Sequence, residues 1–335
     1  MRKVMALAAT VLLLAASMLL QGCGGGEKSQ NSQPNQPKKA EFPTKPITWV
    51  FTSQPGGSVD QAGRPVAEVA GKIAGQPVVV EYKAGSGGAQ AALDVKNAKP
   101  DGYTLLFMMV GQTIAPHVNP SVGYTVDDFI PIAQITANPL AFATKADSPI
   151  RSMDDLFKEA KKRDGKLTIG AYGTGSLQRV ITGMLTKKYG LNVKYVPYDT
   201  DAEVVAAVLG GNIDVSINSA STMTSHHKAG KVNLIGVTHD QRYELLPDVP
   251  SLKEQGYDIV IHGWYGVGAP KGTPKEVVDI LAGIFEKAIN DPTVKEAHLK
   301  SKARSAYLPP DQFAEKVKRE NAEHKAIVEE FIKAK

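Results

Sequence analysis

Two hydrophobic periods take turns along this chain. From Ile47 onward, short β-branched runs alternate with stretches whose apolar residues return every three or four positions, the order expected of parallel βαβ units. Residues 47–51 predict a strand. Residues 59–73 predict a helix with Val59, Ala62, Gly63, Val66, Val69, Ala70 and Ile73 on one face. Strand 78–81, helix 89–97 and strand 104–108 continue the alternation. Residues 130–135 and 140–144 read as two strands with no helix between them, a place for the chain to pass from one lobe to another. A second set follows: helix 152–162, strand 167–171, helix 177–189, strand 193–196, helix 202–210 and strand 213–217. After a strand at 234–237 come Pro247, Pro250 and Gly256, and residues 259–267 predict a strand that returns to the first lobe. Helices 274–290, 292–300 and 310–334 each open on a proline, which suits a first helical turn. The expected fold is α/β and two-lobed, each lobe a mixed sheet flanked by helices.

The N-terminus breaks this pattern. Arg2 and Lys3 precede an uncharged, mostly apolar run of 17 residues from Val4 to Leu20, followed by Gln21, Gly22 and Cys23. This is the layout of a secretory leader. Leu20-Gln21-Gly22-Cys23 resembles a lipobox, with Cys23 as the site of lipid attachment. A single membrane helix is the competing reading, because about 17 to 25 apolar residues span a bilayer. Cys23 is the only cysteine among 335 residues, and it falls where lipid chemistry requires it. No thiol is then left for a disulfide, a redox pair or a zinc cluster.

Residues 23–45 are polar and rich in Gly, Ser, Gln and Pro, a flexible tether that reaches roughly 25 Å. Gly24 follows the cysteine, so no aspartate retention signal is present, and a lipid-anchored, extracytoplasmic location on the outer face of the cell membrane is expected. Loss of Arg2 and Lys3 with a leader of residues 1–22 lowers the formal charge from +5 to +3, too little to suggest nucleic acid. The body that remains, about 290 residues, suits two lobes rather than one core. Its expected division is 46–142 with 262–335 as a discontinuous first lobe and 143–261 as the second. No later apolar run is long enough to cross a membrane, so this body is expected to be soluble and monomeric.

Two loops share one design. Strand 47–51 feeds Thr52-Ser53-Gln54-Pro55-Gly56-Gly57-Ser58-Val59-Asp60, and strand 167–171 feeds Tyr172-Gly173-Thr174-Gly175-Ser176-Leu177-Gln178. In each, a glycine-rich turn leads from a strand into a helix start whose first N–H groups lack intrahelical partners. Such ends bind anions, and two facing each other across a cleft would hold a carboxylate without arginine. Ser58, Thr174 and Ser176 could add hydroxyl hydrogen bonds. The plainer alternative is that the serines cap their helices and the glycines make turns.

Neither loop completes a phosphate-binding G-x-x-x-x-G-K-[ST] or G-x-G-x-x-G pattern. No G-x-S-x-G elbow or H-E-x-x-H motif occurs. The seven histidines are scattered, and His226 and His227 would point to different faces of a helix, so neither metal nor cofactor is expected.

Further motifs stand in a set order: Phe42-Pro43-Thr44-Lys45-Pro46-Ile47, Pro55-Gly56-Gly57-Ser58 with Asp60, Arg64, Val79-Val80-Glu81 with Lys83 and Gly85, and Pro100-Asp101-Gly102-Tyr103-Thr104-Leu105. Val196-Pro197-Tyr198, Gly210-Gly211-Asn212-Ile213-Asp214, Leu246 to Leu252, Gly263-Trp264-Tyr265-Gly266 and Ala269 to Pro274 follow. From Phe42 to about Glu329 the chain thereby resembles the substrate receptors of tripartite tricarboxylate transporters, the Bug receptors. The resemblance implies a type II periplasmic-binding-protein fold that closes over a small carboxylate, partly through water. Carried over, it implies Gly57, Ser58 and Asp60 in the first loop and Thr174, Gly175 and Ser176 in the second as ligand-binding residues. Gln112, within Gly111 to Thr113, Tyr198, and Asn218 with Ser219 follow predicted strands toward the same cleft. The implied partners are a small and a large integral membrane subunit driven by an ion gradient, and no catalysis is implied.

Several residues depart from the family pattern: Ser53 and Gln54 stand where apolar residues are common, Tyr82 where Asn is frequent, and Gln178 where His is often seen. Gln54 is therefore a candidate for reading a second polar group on the ligand. Asp60 equally fits a plain complement to the helix dipole. Trp264 and Tyr265 read as packing at the crossing, and residues 315–335 as a solvated amphipathic helix. Two other functions stay open. One is a sensor that presents its closed form to a kinase, and the other is a hydrolase using Ser58 or Ser176. Dicarboxylates, citrate-like acids, aromatic acids and nicotinate-like rings all remain possible ligands.

Overall fold

The computed structural model describes residues 41–173 and 175–333; Cys23, the leader and Thr174 lie outside the described residues. β1 (Ile47–Phe51), α1 (Ser58–Ala74), β2 (Val78–Tyr82), α2 (Ala89–Lys96) and β3 (Thr104–Met109) follow the expected alternation. Asp60 lies in the first turn of α1 and Lys72 in the last, and left-handed Gly75 ends it, so both charges oppose the helix dipole. A 3-10 turn at Val110–Thr113 and the single turn α3 (Ala115–Val118) come next, both too short to show a period.

Where two strands were expected, one runs unbroken: β4 (Phe129–Lys145) is 17 residues long. Asn138-Pro139 falls between the two expected strands. Pro139 instead pairs opposite His262 just before Leu140 pairs opposite Ser219, so it sits where the strand changes partners and a missing N–H costs least.

The second set then follows as α4 (Met153–Lys162), β5 (Thr168–Tyr172), α5 (Leu177–Tyr189), β6 (Lys194–Tyr198), α6 (Asp201–Gly210) and β7 (Val215–Ser219). After it come α7 (Ala220–Lys228), β8 (Val232–Val237), β9 (His262–Pro270), α8 (Lys275–Asn290), α9 (Pro292–Lys300), β10 (Ser305–Leu308) and α10 (Pro310–Ile327). The pattern did not mark α7 because its Ser and Thr residues are weak helix formers and only Ala220, Met223 and Thr224 are buried.

β4 belongs to two halves of the sheet. Residues 129–139 pair with β9, and β9, β3, β1 and β2 continue outward. Residues 140–145 pair with β7 on one side and β8 on the other, and β5 and β6 continue beyond β7. The β1–β2, β1–β3, β5–β6 and β5–β7 pairs are parallel, and every pair of β4 is antiparallel.

Buried Thr238 staples the two crossings: its hydroxyl donates to the Ile261 carbonyl at 2.6 Å and accepts from Leu140 N–H at 2.9 Å. Trp49, Phe51, Phe107 and Phe285 form the aromatic centre of one face of the first half. A second core contains Val50 and Leu106 from one half and Ile169 and Ile217 from the other.

The C-terminal segment is more enclosed than a solvated helix. Phe313, Val317, His324 and Val328 are buried, and beyond Ile327 the turns widen into a π-helix over Val328–Lys333 that packs on α5 and α3. Among the described residues no helix is long and apolar enough to cross a membrane, and no acidic, His or Cys group is spaced to hold a metal ion.

Candidate functional site

A cavity of about 330 Å³ lies where strand ends from both halves converge, a size suited to a small ligand. Met109, Val110 and Gly111 approach it from the end of β3, Tyr172 and Gly173 from β5, Asp199 and Asp201 from beyond β6, and Ser219 from β7. Leu140 of β4 and Gly263 and Tyr265 of β9 form the floor that the halves share. Open α/β sheets bind ligands in this kind of crevice, outside the carboxyl ends of their strands.

The halves touch on several sides of the cavity. Ser58 Oγ at the start of α1 donates to Asp201 Oδ2 at 3.1 Å and lies 2.8 Å from Tyr265 OH. Gly87 and Gly173, both left-handed, meet backbone to backbone; a Cβ built on Gly173 would lie 3.6 Å from Gly87 Cα. At Gly175 the fit is closer still, since a Cβ there would lie 2.7 Å from Ala115 Cα.

The second loop lines the cavity with Gly175, Ser176, Leu177 and Gln178. Ser176 caps α5 and accepts from Arg179 N–H, and its hydroxyl lies 3.0 Å from Tyr195 OH. The start of α5 therefore opens on the cavity, where the N–H groups of Leu177 and Gln178 have no intrahelical partners.

The first loop stands one layer away. Gly57 and Ser58 line an adjoining groove of about 850 Å³, and Gln54 is exposed and borders a crevice of about 60 Å³ between the two. Asp201 borders all three spaces.

Asp60 is buried and its oxygens are engaged: it accepts from Gly56 N–H at 2.9 Å, from Tyr82 OH, and from Arg64, whose guanidinium lies 3.0 Å away. Burial alone would raise this carboxyl, but the bonds from Tyr82, Gly56 and Arg64 together hold it below the ordinary value. The Tyr82 hydroxyl is pushed up to about 12 by burial and by donating to that carboxylate.

Gln112 is buried, with Oε1 accepting Met109 N–H at 2.6 Å and Nε2 unpartnered among the described residues. It shapes the turn whose neighbours Met109, Val110 and Gly111 line the cavity. Tyr198 contributes its carbonyl, which accepts from Gly173 N–H at 2.9 Å, while its ring lies over Gly170. Asn218 is fully buried with neither amide atom partnered among the described residues, and Ser219 lines the cavity beside it.

Pattern reading missed Asp199, Asp201 and Tyr172, and it assigned Tyr265 to packing. The capping box of Thr200 and Glu203 marks the start of α6, and an aspartate in that first turn reads as a dipole complement. Its position toward the cavity becomes visible only when β6 is paired beside β5. Trp264 is packing: fully buried, it stands edge-on to Phe313 and donates to Glu320 at 2.6 Å. Enclosure raises the Asp201 carboxyl, against the bond from Ser58, which lowers it. Burial also raises the Tyr172 and Tyr265 hydroxyls, with the Asp201 charge adding to the effect.

Known proteins share both pattern and shape. A protein from the gbd 5′ region of Cupriavidus necator is 32% identical over 304 residues, covering 91% of this chain and 93% of its own. A Rhodopseudomonas palustris protein solved with adipate superposes with TM-score 0.82 at 25% identity, over 86% of this chain and 98% of its own. MatC from Rhodopseudomonas palustris, solved with bound malate, gives TM-score 0.79 at 25% identity, over 86% and 100%. Residues 62–332 match the tripartite tricarboxylate transporter family receptor. With these two strand sets, one shared spanning strand and a cavity between them, the chain belongs to that receptor family and has the two-lobed fold of periplasmic binding proteins.

Proposed function

We propose that this receptor captures a small carboxylate between two lobes, 46–142 with 262–335 and 143–261, and presents its closed form to a small and a large integral membrane subunit. Cys23 tethers it by lipid to the outer face of the membrane. The observation that carries the reading is the start of α5. Gly175, Ser176, Leu177 and Gln178 bring a helix N-terminus to the wall of a cavity that no described Lys, Arg or His lines. Backbone N–H groups and the helix dipole there supply anion binding without a basic side chain. Relatives solved with adipate and malate support a carboxylate as ligand. The Ser58 and Ser176 hydroxyls have Asp, Tyr and backbone partners, which favours binding over a histidine-activated hydrolase.

Thermal melting in a panel of mono-, di- and tricarboxylic acids tests this. A ligand at 100 times its dissociation constant adds about 2.7 kcal/mol, a clear shift in midpoint. A panel in which no acid moves the midpoint at millimolar concentration would exclude a carboxylate receptor.

A further inference from the structure

The cavity contains a charge that a plain acid does not complement. Its described lining includes two carboxylates, Asp199 and Asp201, and no cationic side chain. Asp60 of the first loop lines none of these spaces and is answered by Arg64, Tyr82 and Gly56 N–H. Asp201 has Ser58 alone as a hydrogen-bond partner among the described residues, and that bond uses Oδ2. Its carboxylate is half-buried, lines the cavity and has no described counter-charge, while the start of α5 lines the same cavity with N–H groups. One wall suits an anion and the other suits a cation.

We infer that the ligand carries a positively charged nitrogen beside its carboxylate, as an amino acid does, and that Asp201 is the residue that selects it. This rests on the carboxylate reading above and narrows it. The ligand carboxylate lies at Gly175 to Gln178, and the ammonium group lies against Asp201, with Asp199 adding negative potential from the exposed side. An ammonium group has three donors and no acceptor, which matches a carboxylate with open lone pairs. A second ligand carboxylate in that place would face two like charges. Tyr172 and Tyr265, whose hydroxyls stay protonated, complete the wall around Asp201.

Calorimetric titration of the purified chain with matched pairs tests the inference: aspartate against succinate, glutamate against glutarate, and 2-aminoadipate against adipate. In at least one pair the amine-bearing member binds at least tenfold tighter. Asp201→Asn, which keeps the shape and can still accept from Ser58, brings that pair to within about threefold. If the plain acid binds more tightly in every pair, or if Asp201→Asn leaves the ratio unchanged, the inference fails and the carboxylate reading stands. If no member of any pair binds, the inference fails, and the carboxylate reading is decided separately by the wider acid panel. The wild-type comparison is decisive even if the variant does not fold.

Discussion

Replacing Gly175 with alanine separates closure from folding, because the added methyl meets the opposite lobe. It would lie 2.7 Å from Ala115 Cα and 2.8 Å from Ala115 Cβ, where carbon atoms rest at about 3.5 to 4.0 Å. The obstacle is largely backbone and cannot rotate aside, so the lobes must part by roughly 1 Å there. Overpacking of this kind costs about 1 to 3 kcal/mol. The penalty falls on the closed form, so ligand affinity should drop about 5- to 150-fold at 1.4 kcal/mol per decade. On the proposed opening and closing, the lobes stand apart without ligand and the methyl meets solvent there, so the melting midpoint without ligand should hardly move, as for ordinary surface changes.

Gly57→Ala is the control. Gly57 is extended, at φ −79°, and the nearest atom to a Cβ there is Gln54 O at 3.9 Å, so the residue fits at a capping cost below about 1 kcal/mol. Calorimetry gives the affinities, and small-angle scattering with and without ligand reports compaction. If Gly175→Ala binds within twofold of the parent while Gly57→Ala loses binding, the contact at Ala115 is not what limits closure.

Three further outcomes follow from the buried polar groups. Tyr82→Phe removes a donor to Asp60 and loosens the turn at Gly56; it should cost about 1 kcal/mol and lower the melting midpoint by about 2 to 4 °C. His324 is buried against Thr113, 2.7 Å from its Nδ1, and burial, with His117 adding to it, depresses its imidazole from 6.5 to about 4. The unfolded chain then binds the proton first, so stability is lost as pH falls from 6.5 toward 4, by up to about 3 kcal/mol, and His324→Gln should flatten that slope in melts across pH. Asp201 has the opposite sign. Its raised carboxyl keeps a proton longer in the folded chain than in the unfolded one, so its contribution declines as pH rises above the ordinary 3.8. Closing the lobes over this carboxylate is therefore disfavoured at neutral pH, so Asp201→Asn should favour the compact form without ligand, read as a smaller radius of gyration in small-angle scattering, and an unchanged radius would contradict the enclosure of that charge.

The strands and long helices were legible because each buries one face and so repeats a period; α5 and α9 match their predicted limits. The loop entering α5 was legible because its glycines and capping serine are required by local geometry. The unbroken course of β4 was not, since Pro139 reads as a break until a partner strand is placed opposite it. Asp201 was hidden for a related reason: the same carboxylate would suit any helix start, and only the approach of α1 from the other lobe, through Ser58, makes it part of the cleft. Short elements such as α3 and β10 bury too little to leave a pattern, and the buried positions of α10 were diluted by charged neighbours.

β4 restricts how such receptors can be recombined. At about 3.3 Å per residue, its 17 residues form a rod of roughly 56 Å on which both sets of neighbours are threaded. A chimera that joins one lobe to a foreign counterpart must cut and reseal this rod in register, along with the Thr238 staple beside it. Grafting only the loops at Gly175 and Asp201 leaves the rod whole. Engineering new cargo preferences into this scaffold is therefore a matter of loop exchange, with the spine kept as a single inherited piece.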